Sequence, residues 1–86
     1  MRLALQSAFV PTHDHCRPLT TTTRLVLRAF HRLTIPTGKA TITYVPARGA
    51  RSQPLVVLPG RTYVALVGPL PLEIEPVEQP ARLCSG

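Results

Sequence analysis

Ten prolines in a chain of 86 residues leave little room for helix. Proline has no backbone N–H to donate and its ring clashes with the preceding turn, so each one breaks a helix interior. Ten threonines add β-branched side chains that fit a pleated surface better than a helical one. The expectation is an all-β chain: a small β-sandwich or barrel of five to six short antiparallel strands. At 9.4 kDa it holds one domain, and a chain of this size buries only about 60% of its unfolded surface. Hydrophobic residues at 44% and charged residues at 16% exclude a disordered chain. The same arithmetic excludes a multidomain enzyme and a coiled coil, and no stretch approaches the ~20 apolar residues of a membrane span.

Composition divides the chain into an extended N-terminal arm at 1–23, a β domain at 24–76 and a C-terminal tail at 77–86. Pro11 and Pro18 bar a continuous helix in the arm, and its start, MRLALQSAFVPT, lacks the clean apolar core of a cleaved leader. Residues 25–35 read two ways. As a strand, Leu25, Leu27, Ala29, Leu33 and Ile35 share a face; as a helix, Leu25, Val26, Ala29, Phe30 and Leu33 form a stripe capped by Thr23. Strand is favoured, because the segment runs without a helix stop into Ile35, Pro36 and a turn.

Two units then echo each other. An apolar strand leads to Pro36-Thr37-Gly38 and Lys39-Ala40-Thr41-Ile42-Thr43-Tyr44-Val45. Another leads to Pro59-Gly60 and Arg61-Thr62-Tyr63-Val64-Ala65-Leu66-Val67. Each has a glycine available for φ > 0 and reads as a hairpin. The segment 70–75 alternates cleanly, and Pro71 inside it argues for a sheet edge.

Charge is one-signed over most of the chain. The net charge is +6, and no acidic residue stands between Asp14 and Glu73. Arg17, Arg24, Arg28, Arg32, Lys39, Arg48, Arg51 and Arg61 all lie in that interval and are the candidate partner-binding residues. Arg24, Arg28 and Arg32 share one face on either reading of their segment. Guanidinium forks match carboxylates and phosphates, so the stripe suits an acidic protein, a nucleic acid or simple solvation. Against nucleic acid, only Phe9, Phe30, Tyr44 and Tyr63 could stack on bases, and lysine is nearly absent.

Catalytic chemistry has little footing. His13 and His15 would project to one side of an extended segment and could chelate, but no second spaced pair completes a metal site, so no metal and no cofactor is expected. Ser7, Ser52 and Ser85 lie in no nucleophile motif, and Cys16 beside His15 has no pocket around it. Cys16 and Cys84, without an export signal, are expected as free thiols; a bridge between them would close a long loop worth about 4 kcal/mol. The chain is expected not to be an enzyme.

The text Leu27-Arg28-Ala29-Phe30-His31-Arg32-Leu33-Thr34-Ile35-Pro36-Thr37-Gly38, followed by Ile42-Thr43-Tyr44, resembles the edge hairpin of Ig-like and fibronectin-like sandwiches. With the size, the arm and the missing chemistry, the chain is similar to small decoration (cement) proteins of phage and virus capsids. That resemblance implies a non-enzymatic virion protein on the capsid surface, assembled in the host cytoplasm. It also implies a homo-oligomer, a trimer in many such proteins, whose partner is a lattice such as a major capsid protein and not a membrane. A small basic nucleic-acid-binding module is the alternative.

Overall fold

A computed structural model of the chain describes residues 5–8, by their backbone, and 15–86. Among them every regular element is a strand: β1 Leu5–Ala8, β2 His15–Pro18, β3 Thr23–Leu27, β4 Arg32–Thr34, β5 Lys39–Tyr44, β6 Leu55–Val57, β7 Thr62–Ala65, β8 Leu70–Glu78 and β9 Arg82–Ser85. They form two antiparallel sheets, one of five strands in the order β1-β7-β4-β9-β2 and one of four in the order β3-β8-β5-β6. The fold is a small all-β sandwich, as the proline and threonine content implies. It holds nine strands where the sequence suggested five or six, because both ends of the chain are recruited and residues 25–35 divide between two sheets.

Period-2 alternation builds the seam between the sheets. From the four-stranded sheet come Leu25 and Leu27, Ala40 and Ile42, Val57, and Leu70, Leu72 and Ile74; from the five-stranded sheet come Leu33, Ala65 and Leu83. Leu19, Ile35 and Ala81 close the seam from the connecting segments. One residue out of phase with Leu33 and Tyr63, the buried hydroxyls of Thr34 and Thr62 hydrogen-bond to each other at 2.9 Å.

The two echoing units are arches and not hairpins. Each turn carries its glycine at φ +77, as expected, but the first joins β4 to β5 and the second β6 to β7, so each crosses from one sheet to the other. Turn chemistry fixes a reversal of direction; it does not say whether the flanking strands bond to each other. Gly38 has a second reason to lack a side chain, since a Cβ there would lie 2.5 Å from the Pro80 carbonyl oxygen. The segment around Pro71 is likewise not an edge. β8 is central, between β3 and β5, and tolerates Pro71 near its start and Pro76 beside a bulge at Lys39/Ala40, where the ladder needs no proline donor.

The arm and the tail are extended but not free. β1 pairs with β7, β2 pairs with β9, and Leu83 and Cys84 of the supposed tail are buried. Cys16 and Cys84 are direct cross-strand partners with Cα atoms 4.0 Å apart, and they are joined by a disulfide. The expectation of free thiols is corrected for that reason: pairing of the two ends, which neither local sequence shows, brings the sulfurs together. Reduction, or Cys16→Ala with Cys84→Ala, should lower unfolding stability by about 4 kcal/mol, the loop-closure entropy of a bridge spanning 68 residues, measurable in denaturant titrations with and without reductant. Thr62→Val should cost about 1–3 kcal/mol by orphaning the Thr34 hydroxyl, and adding Thr34→Val should recover much of the loss.

Candidate docking surface at the basic end of the sandwich

Strand register sorts the loops into two ends. Leu27 lies opposite Leu70, and Tyr44 opposite Leu72, so β3 and β5 leave their sheet where β8 enters it. The Phe30 N–H donates to the Ala65 carbonyl at 2.7 Å, bringing the β3–β4 crossing against the end of β7. The segments 28–31, 45–54 and 66–69 therefore share one end. It carries Arg28, Arg32, Arg48 and Arg51, with Arg24 just inside it on β3. Glu73, across from Arg24, is the one side-chain carboxylate there among the described residues, and Gly86 pairs through its backbone with Arg32 at the same end. Lys39, Arg61 and Arg82 belong to the opposite end, where Lys39 pairs across to Glu78 and the Gly60 N–H reaches the Ile35 carbonyl. Arg17 lies along β2, at the edge of the five-stranded sheet.

This corrects the stripe. Arg24, Arg28 and Arg32 do not share a face: Arg24 is on the four-stranded sheet, Arg28 in the crossing and Arg32 on the five-stranded sheet. Their charge converges on a loop end instead, together with two arginines from a distant loop.

An apolar tip stands among these charges. Phe30 is 74% exposed, beside Leu66 at 47% and Val67 at 56% on the adjoining loop. Phe30 is held at φ +67, a left-handed conformation that costs a residue with a Cβ roughly 1–2 kcal/mol. Hydrogen bonds fix it there: Phe30 to Ala65, the His31 N–H to the Arg28 carbonyl at 3.0 Å, and the Ala65 N–H to the His31 carbonyl at 3.0 Å. A left-handed backbone, held by these hydrogen bonds, thus keeps a phenyl ring exposed to water, which marks Phe30 as a candidate functional position.

Beside the tip, the outer face of β3 and β8 forms an open groove of about 710 Å³ under the 45–51 loop, lined by Arg24, Val26, Pro46, Arg48, Pro71 and Glu73, among others. Arg51 donates to Glu73 at 2.7 Å, and Arg24 Nε lies 3.8 Å from the other carboxylate oxygen. The Arg51 hydrogen bond holds the Glu73 carboxyl below its usual range; partial desolvation opposes this less strongly, and the charges of Arg51 and Arg24 reinforce it. The same bond raises the Arg51 guanidinium. A depressed carboxyl contributes stability above the ordinary glutamate range and loses it as pH falls through the folded value.

Among the described residues no group of three or more His, Cys, Asp or Glu side chains gathers to hold a metal. His13 lies outside the described residues, and the sulfurs of Cys16 and Cys84 are bonded to each other and so are not free to ligate. His15 sits on β2 and His31 in the crossing. No helix among the described residues is long and apolar enough to cross a membrane. Sequence reading missed Phe30, Leu66 and Val67 as site residues, because an apolar residue at a loop tip looks the same in sequence as one in a core.

No family model, curated protein or solved structure matches this chain.

The Glu73 carboxyl should titrate below a free glutamate when followed by NMR, and Arg51→Ala should move its midpoint back up. Melting temperature should change little, since exposed ion pairs contribute about 0–1 kcal/mol.

Proposed function

We propose that this chain is a non-enzymatic structural protein that docks on an acidic protein lattice through the basic end of its sandwich, a capsid surface being the lattice that its resemblance to decoration proteins implies. The observation that carries this reading is the end itself. An exposed Phe30 lies at the same end of the sandwich as exposed Leu66 and Val67 and as Arg28, Arg32, Arg48 and Arg51, which come from both sheets' strands and loops. An aromatic anchor with an arginine rim is the composition of an interface centre. The guanidinium groups steer the encounter and select a negative surface, while burial of the ring supplies affinity.

Two further features fit a particle surface. The disulfide belongs to oxidising surroundings, so in this reading it closes after release from the reducing host cytoplasm. β6, a sheet edge, exposes Leu55 and Val56, with Leu58 just beyond, an uncharged row that suits pairing between copies. A homo-oligomer, with a trimer as the resemblance implies, is therefore part of the proposal.

Co-sedimentation with undecorated capsid particles tests the docking. The wild-type chain should bind, and Phe30→Ala should weaken binding roughly 30-fold, the equivalent of about 2 kcal/mol of lost burial. Phe30→Gly separates docking from folding. It relieves the left-handed backbone, so the melting temperature should hold or rise while docking falls as far as in Phe30→Ala. Wild-type binding undiminished by either change would overturn the role of the tip. Binding to short DNA, falling steeply and log-linearly with salt and indifferent to Phe30, would instead favour the nucleic-acid alternative. Light scattering should give a solution mass above the 9.4 kDa of one chain.

A further inference from the structure

β3 is a free edge of the four-stranded sheet: among the described residues it pairs with β8 alone. The direction of its free backbone groups follows from the register. The Pro71 carbonyl accepts the Val45 N–H at 2.9 Å, so it points toward β5 and away from β3. Val26, opposite Pro71, is therefore at a non-hydrogen-bonded position. Its N–H and C=O face outward along the edge, and so do those of Arg24 two residues earlier.

Each face of this edge opens onto a hollow. On the outer side lies the groove under the 45–51 loop, where Val26 is 61% exposed and Arg24 and Arg48 stand at its walls. Arg51 there is already satisfied by Glu73, whereas Arg48 has no ion-pair partner among the described residues. On the inner side, a smaller cleft of about 340 Å³ opens between β3 and the neighbouring edge β2, lined by Leu25 with His15, Cys16, Arg17 and Ser85. An added strand would send alternate side chains into these two hollows.

We infer that β3 is a strand-addition site for an extended acidic segment of the partner protein. The segment's main chain would pair with Arg24 and Val26, its carboxylates would meet Arg24 and Arg48 in the groove, and its alternate apolar side chains would rest on Leu25. Glu73 on β8 shows the chemistry within the chain, as a carboxylate held by Arg51, a guanidinium from the loop that also carries Arg48. Main-chain bonds give such a site affinity, and the two hollows give it selectivity. The inference rests on the acidic-partner reading above and names the form that partner takes.

The probe is a fluorescein-labelled synthetic peptide alternating glutamate and valine, titrated into the full chain by anisotropy. It should bind saturably, and Arg48→Glu and Arg24→Glu should each weaken binding about tenfold, with unchanged circular dichroism. Arg82→Glu, at the opposite end, should leave binding as it is. The same peptide with alternate amides N-methylated should lose binding, because strand addition needs its donors and bare charge attraction does not. Equal binding of the methylated peptide, or tighter binding of single-stranded DNA in competition, would overturn strand addition. A chain that takes up capsid particles but ignores the peptide overturns this inference alone; one that takes up neither overturns the docking reading with it.

Discussion

The sandwich depends on pairing the two ends of its chain. A domain this small cannot close its seam with the central strands alone, and the residues that finish it, Leu19, Ala81 and Leu83, come from the first quarter and the last few positions. β2 against β9 supplies that closure, and the Cys16–Cys84 bridge ties it covalently across the register. The Leu19 N–H donates to the Ala81 carbonyl at 2.8 Å, and the Gln79 side-chain amide donates to the Leu19 carbonyl at 3.0 Å, extending the clasp. Because the clasp constrains the unfolded chain over most of its length, much of its effect is entropic, and little of it is visible as packed area.

With the ends fixed, the crossings between sheets decide where charge goes. The chain passes from the four-stranded to the five-stranded sheet at 28–31 and again between β6 and β7; between β4 and β5 it passes the other way, and β7 to β8 returns it once more. The 28–31 crossing splits a run of arginines that would otherwise lie on one strand. It places Arg28 and Arg32 on either side of a strained aromatic, while the 45–54 loop brings Arg48 and Arg51 to the same end. Repulsion among these groups is moderated by Glu73, which engages Arg51 directly and Arg24 at longer range. The result joins a desolvatable apolar tip to a positive field, and those are the two ingredients of selective docking.

Much of the architecture was legible in one dimension, and the failures have a common cause. Alternation in Leu70, Leu72 and Ile74 identified inward-facing positions correctly, and the turn glycines took the positive φ that their neighbours suggested. Pro71 was misleading. A proline excludes a central strand only where the ladder needs its N–H, and that need is set by partners elsewhere in the chain. The paired arches looked like hairpins for the same reason, and the cysteines looked free because their pairing is a contact 68 residues apart. The basic residues are plain in the sequence, but their spacing points to a strand face, whereas the structure gathers Arg28, Arg32, Arg48 and Arg51 at a loop end.

The all-β character, the one-signed charge and inward-facing positions such as Leu70, Leu72 and Ile74 can be read from the sequence, since they follow from composition, local propensity and a period of two. Tertiary structure alone decided which strands are neighbours, which end collects the arginines, and that Phe30 faces water. Those outcomes depend on long-range pairing, whose energy is shared among residues that no local window contains together.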